Sequence, residues 1–301
     1  MKHELRGRLR GVIAFPVTPF QADLSLDGAG LRRNLDALLQ HRIAAVVAAG
    51  GTGELYSLTP AEQLEVVRTT VESVRGRAPV IAGVGLNARL AVEMARQSAG
   101  AGADAILVLP PYYPNADDEG LAEYYAAVGA ATPLPLLVYS RDWVNPGPAW
   151  VERLAARVPT LTAWKDGQGD IRRYQQVMHR VGDRLHWIGG AGDDCVPGYY
   201  SIGIRAYTSS IATVAPRLSL ELHEAAAAGD AARLQRLMDD YVIPLYALRA
   251  RRKGYEVTVM KEMMNAVGLA AGPVRPPLPP LRPEDAGDLR ALLERWKAVL
   301  G

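Results

Sequence analysis

The chain holds a single cysteine, Cys195. No disulfide can form within it, and the fold needs no oxidising compartment. Its five histidines are scattered without ligand spacing, which argues against a zinc site or any other metal. No apolar run approaches the roughly 18 residues that span a bilayer. The polar, basic opening, residues 1–10, lacks the apolar stretch of a secretory signal. Charge of one sign is missing too: 34 Lys and Arg stand against 32 Asp and Glu. That balance removes the electrostatic case for nucleic acid or an anionic membrane as partner. The one dense basic tract, Arg249-Ala250-Arg251-Arg252-Lys253, reads as a solvated helix end. These absences leave a cytoplasmic globular protein.

What is present is an alternation. Short apolar runs lie at residues 11–17, 44–49, 79–84, 105–109, 134–139, 161–164, 186–189 and 205–209. Several are apolar throughout, as in Ile106-Leu107-Val108-Leu109, which suits parallel strands covered on both faces. Amphipathic stretches fill the gaps. Leu31, Leu35, Leu38 and Leu39 share one helical face, and Thr59-Pro60-Ala61-Glu62 has the chemistry of a helix start. Eight strand-then-helix units predict a (β/α)8 TIM barrel over residues 1–228. A doubly wound dinucleotide fold would carry a Gly-rich first turn. Pro16-Val17-Thr18-Pro19-Phe20 is not one. Residues 229–301 read as a C-terminal helical extension packed on the barrel. Helices are predicted over 230–253, 256–267 and 284–300, with a Pro-rich strap over 273–283.

Active sites of such barrels form at the C-terminal ends of the strands. Strand six ends Trp164-Lys165-Asp166. A lysine there can point into the mouth, where desolvation frees the amine to attack a carbonyl; it can equally pair with Asp166. Strand five ends at Tyr139, a proton shuttle or a packing residue. Strand two opens into Gly50-Gly51-Thr52-Gly53-Glu54, either an anion-binding nest of amides or a tight turn. Strand seven leads to Gly192-Asp193-Asp194, whose carboxylates suit a helix start. Strand eight ends Thr208-Ser209-Ser210, offering hydroxyls to a polyhydroxylated substrate. Strand four presents Tyr112 and Tyr113 on a stiff loop.

Together these residues resemble the dihydrodipicolinate synthase / N-acetylneuraminate lyase superfamily, over nearly the whole chain. The resemblance implies a Schiff-base lysine at Lys165 and a catalytic tyrosine at Tyr139. It implies a keto-acid carboxylate site at Gly51 and Thr52, and distal substrate contacts at Gly192 and Ser209. Tyr113 matches a tyrosine that in some members reaches a neighbouring subunit's site. A homotetramer built from dimers and no cofactor are implied as well. Two departures stand out: Gly51 replaces the usual hydroxyl residue, and the synthase arginine after the tyrosine has no clear counterpart. Both argue against dihydrodipicolinate synthesis.

Four segments, residues 164–170, 199–203, 207–213 and 252–257, are similar to 5-dehydro-4-deoxyglucarate dehydratases. That implies an α-keto sugar acid substrate that loses water and CO2. Ser209, Ser210 and Arg141 are then expected at its distal hydroxyls or carboxylate. The rival readings are another keto-acid aldolase or 2-keto-3-deoxy sugar-acid dehydratase of the superfamily, and a non-catalytic barrel that binds a keto acid.

Overall fold

In the computed structural model, which describes residues 2–300, eight parallel strands close into one barrel in chain order. They are β1 (Gly11–Ala14), β2 (Ala45–Ala48), β3 (Val80–Val84), β4 (Ala105–Val108), β5 (Leu136–Ser140), β6 (Leu161–Asp166), β7 (His186–Gly189) and β8 (Ala206–Ser209). Each matches one of the apolar runs. All but β7 are buried along their whole length, as strands roofed by helices and packed inside the barrel must be.

Helices link consecutive strands, α2 (Gly28–Leu38), α3 (Pro60–Val74), α4 (Ala88–Gly100), α5 (Asp118–Ala130), α6 (Pro148–Arg157), α7 (Ile171–Val181) and α8 (Val196–Ser201), and α9 (Pro216–Ala228) follows β8. The start of α3 is a full capping box. Thr59 Oγ1 accepts from the Glu62 amide at 3.2 Å, and Glu62 Oε2 accepts from the Thr59 amide at 2.8 Å. The polar opening, too short to show a periodic apolar face, is a helix, α1 (Lys2–Arg8). It buries Leu5 and places Arg6 Nη1 on the Asp183 carbonyl at 3.0 Å.

The extension differs in one respect from the single helix predicted over 230–253. It runs as α10 (Ala231–Leu237), a π-helical turn at Met238–Val242 and α11 (Ile243–Arg249). Pro244 has no amide to donate into the α ladder, and the wider turn lies directly before it. There follow α12 (Tyr255–Ala266), the irregular strap and α13 (Ala286–Trp296). A second apolar core joins the extension to the barrel. Leu218 and Leu222 of α9 share it with Val242, Leu245, Met260 and Trp296.

The strap is tied to the barrel mouth by charge. Glu54, fully buried and left-handed at φ 56°, lies 2.6 Å from the ammonium of Lys261 on α12. Its other oxygen accepts from the Arg275 amide at 3.1 Å. The Arg275 guanidinium grips Glu62 through Nη1 at 3.0 Å and Nη2 at 2.6 Å, and stacks 4.1 Å from the Phe20 ring centroid. Capping residue and strap anchor are therefore the same carboxylate.

Removing one partner of a buried pair strands the other charge, at a cost of about 3–5 kcal/mol. Lys261→Met is expected to lose stability on that scale in denaturant titration. Adding Glu54→Gln should restore part of the loss. A Lys261→Met protein as stable as the parent would show that the pair carries no such role.

Candidate active site

Strand parity places the chemistry. Successive side chains of a strand face opposite sides, so Lys165 points into the barrel while Trp164 and Asp166 point out. Asp166 is occupied there. It accepts from the amides of Gln168 at 3.1 Å and Gly169 at 3.0 Å, and from the Tyr199 hydroxyl at 2.7 Å. The pairing of Lys165 with Asp166 considered from sequence is therefore not made.

Instead the Lys165 amine, 2 % exposed, donates to the Gly190 carbonyl at 2.7 Å. Tyr139 is its register partner on β5, and the amine lies 3.2 Å from that ring's centroid. Burial holds the Lys165 pKa well below the ordinary lysine value, and the Arg141 charge pushes the same way. Burial raises the Tyr139 phenol, with Arg141 opposing. Both shifts favour the neutral form, amine beside phenol, which is the form that attack on a carbonyl requires.

A cavity of about 240 Å³ opens over this pair. Of the residues expected at the site, Lys165, Tyr139, Gly51, Thr52, Arg141, Gly192 and Ser210 all line it. The loop 50–54 sits against Gly83 of β3, where a Cβ would fall 2.1 Å from the Ala49 carbonyl oxygen. Glycine there admits the close approach. A Cβ on Gly51 would lie 3.0 Å from Arg141 Nη1. The guanidinium thus borders the space that a hydroxyl residue would enter. It is countered by Asp142 at 3.3 Å and Glu256 at 3.9 Å.

Two expected contacts lie elsewhere. Ser209 points outward between β8 and α9. It donates to Asp193, shares a 2.8 Å hydrogen bond with Ser219 and accepts from the Ala212 amide at 3.0 Å. Its neighbour Thr208 is the strand-eight residue that faces the cavity. Period-two parity along β8 carries that signal. Tyr113, 67 % exposed, lies outside the cavity of its own chain.

Other wall residues were not expected at the site, although Glu256 lies in the 252–257 segment and Arg249 in the basic tract. Tyr56 follows the Gly-rich loop, and Tyr246, Arg249 and Glu256 come from the extension. Arg249 corrects the reading of the basic tract as a solvated helix end, because α11 lays its last residue over the mouth. The Tyr246 hydroxyl accepts from the Asp193 amide at 2.7 Å and donates to its carboxylate at 3.2 Å. Burial pushes the Asp193 carboxyl up to about 6, against the hydrogen bond from Ser209. Burial, then Asp194, push the Cys195 thiol up to about 12, which disfavours the thiolate that a nucleophilic cysteine needs.

A closed barrel whose strand ends surround a buried lysine amine is an arrangement suited to covalent chemistry on a carbonyl substrate. The family model for the dihydrodipicolinate synthetase family matches residues 8–296, and the chain belongs to that family. A relative from Bradyrhizobium diazoefficiens, named "Probable 5-dehydro-4-deoxyglucarate dehydratase", is 40 % identical over 291 residues, 96 % of this chain and 93 % of its own. One of the same name from Saccharopolyspora erythraea is 41 % identical over 300 residues, 99 % of this chain and 96 % of its own. Among solved structures, dihydrodipicolinate synthase from Oceanobacillus iheyensis superposes with a TM-score of 0.93 at 32 % identity, covering 99 % of this chain and all of the other. The Acinetobacter baumannii synthase, solved with pyruvate, gives 0.87 at 26 % identity, covering 97 % of this chain and 100 % of the other.

Two measurements bear on the amine. A Cβ on Gly190 would sit 2.6 Å from Lys165 Nζ and 2.5 Å from the Asp166 carbonyl. Gly190→Ala is expected to slow borohydride trapping of pyruvate on Lys165 by about 100-fold, since small displacements of reacting groups cost that much. Trapping at the normal rate would mean that the amine's position is not critical. In the parent, a depressed lysine pKa leaves the amine neutral above that pKa and protonated below it. The trapping rate should therefore rise with pH and level off well below 10.5. A midpoint at or above 10.5 would mark a solvated amine.

Proposed function

We propose that this chain removes water and CO2 from 5-dehydro-4-deoxy-D-glucarate to give 2,5-dioxopentanoate, through a Schiff base on Lys165. The observation that carries the reading is the state of Lys165. Its amine is buried, held by a single carbonyl, and aimed into a polar cavity beside Tyr139. The names of relatives that match almost end to end support the substrate.

The chemistry follows from that geometry. Lys165 adds to the C5 carbonyl, and loss of water from the carbinolamine gives a protonated imine. The imine acidifies C4–H and acts as an electron sink. Loss of the C4 proton gives an enamine, which expels the C3 hydroxyl with a proton as water. Loss of the C2 proton from the resulting unsaturated imine gives a C2 enol, which becomes the C2 ketone as C3 and C4 take up protons and the C5 imine is restored. The C5–C6 bond then breaks with its electron pair left on C5 beside the iminium nitrogen, C6 leaves as CO2, and C5 takes up a proton. Hydrolysis frees the aldehyde at C5 and restores the amine. Tyr139 is placed to move protons during imine formation and elimination. Thr52 and the loop amides hold the C6 carboxylate beside the imine.

The barrel, 1–228, and the extension, 229–301, act as one unit in this reading. It is supported by the cavity wall, to which the extension gives Tyr246, Arg249 and Glu256. A cytoplasmic homo-oligomer belongs to the same proposal. The exposure of Tyr112 and Tyr113 on one loop supports it.

The test is product analysis with 5-dehydro-4-deoxyglucarate. One CO2 and one 2,5-dioxopentanoate per turnover are expected; pyruvate plus an aldehyde would mark an aldolase instead. Lys165→Ala should abolish turnover and the borohydride adduct together. Tyr139→Phe should keep the fold and lower kcat by about 100-fold or more, the usual range for losing a proton-transfer group. Normal turnover by Lys165→Ala would rule out the covalent route.

A further inference from the structure

The cavity has two guanidinium groups in its wall, and their surroundings differ. Arg141 follows β5 on the Gly51 side, close to two carboxylates. Arg249 ends α11 and reaches the other side of Lys165. Its Nη1 donates to Ser210 Oγ, just past β8, at 3.2 Å, and its Cζ lies 4.4 Å from the Tyr246 ring centroid. Tyr246 is itself fixed on Asp193, just past β7. The helix end is therefore clamped over β7 and β8, the strands that follow the one bearing the lysine.

Among the described residues Arg249 makes no ion pair. The carboxylates it faces are Asp193 and Asp194, both of whose pKa values it lowers. Neither is within ion-pair distance. Asp193 is already taken by Ser209 and Tyr246. A guanidinium in a cavity wall with one neutral hydroxyl for a partner has fork donors to spare, and the planar fork fits a carboxylate.

We propose that Arg249 binds the carboxylate at the far end of the substrate, and so makes the site selective for keto diacids over keto monoacids. The inference rests on the reading above in one respect: the substrate keeps a second carboxylate, C1, at the end opposite the imine. Thr52 and its loop hold the carboxylate that leaves; Arg249 holds the one that stays. Arg141 attends the imine side. The residue that reads the substrate's length and charge comes from the extension, not from the barrel.

The test uses two six-carbon keto acids without hydroxyls, 2-oxoadipate and 2-oxohexanoate. They differ only in the far carboxylate. Borohydride trapping on Lys165 gives a half-saturating concentration for each, and no dehydration is needed. The parent should favour 2-oxoadipate by about 10- to 100-fold, the span of a charge-assisted hydrogen-bonded contact. Arg249→Met should bring the ratio near one by weakening 2-oxoadipate alone. Arg249→Lys should keep part of the preference, and Arg141→Met should affect both acids alike.

A parent without preference would overturn the proposal, as would Arg249→Met with the preference intact. Equal loss of both acids in Arg249→Met would make Arg249 a structural residue and overturn it too. Loss of the preference in Arg141→Met but not Arg249→Met would assign the contact to the wrong arginine. A parent that prefers 2-oxoadipate but releases no CO2 from 5-dehydro-4-deoxyglucarate would sink the dehydratase reading and leave the Arg249 contact standing.

Discussion

The buried carboxylate of Glu54 fixes the geometry of the mouth. It belongs to the loop that follows β2, yet its partners, Lys261 and the Arg275 amide, come from the other end of the chain. A buried ion pair is often no more stabilising than a well-packed apolar pair. Its value here is positional. It holds a left-handed residue at the end of the Gly-rich loop, and so sets where Gly51 and Thr52 stand. Gly83 beneath and Arg275 above leave that loop little freedom. The extension and the site are assembled by the same contact.

Beyond that loop, the mouth is organised by desolvation. Burial depresses the lysine and raises the phenol and Asp193. Each group is pushed towards its neutral form, which is the form that imine chemistry needs of an amine nucleophile and a phenolic acid. The permanent charges stand in the same wall. Arg141 lies with Asp142 and Glu256, and Arg249 lies on Ser210. Buried titratable groups held near neutrality beside paired guanidinium and carboxylate groups suit one small cavity to both covalent chemistry and anion recognition.

Much of this was legible in the sequence. Each strand announced itself as an apolar run, and Lys165 and Tyr139 as polar residues closing two of them. What the sequence hid follows from geometry. Thr208 and Ser209 are both hydroxyl residues at a strand end, and only the side each faces separates cavity wall from outer scaffold. Arg249 sits in a basic tract that looks solvated, because nothing local says which turn of the extension folds over the barrel. Helix α1 was too short to show a face. Tyr113 matches a family position, yet it lies exposed outside the cavity of its own chain.

The π-helical turn before Pro244 has a meaning of its own. One residue in an α-helix is about 100° of rotation and 1.5 Å of rise. The wide turn at Met238–Val242 resets the angular phase of everything after it, including Tyr246 and Arg249. Insertion or deletion of a single residue there would swing the helix end round like the tooth of a key. Related chains could therefore acquire new recognition groups through the length of a helix, with the barrel and its lysine left unchanged.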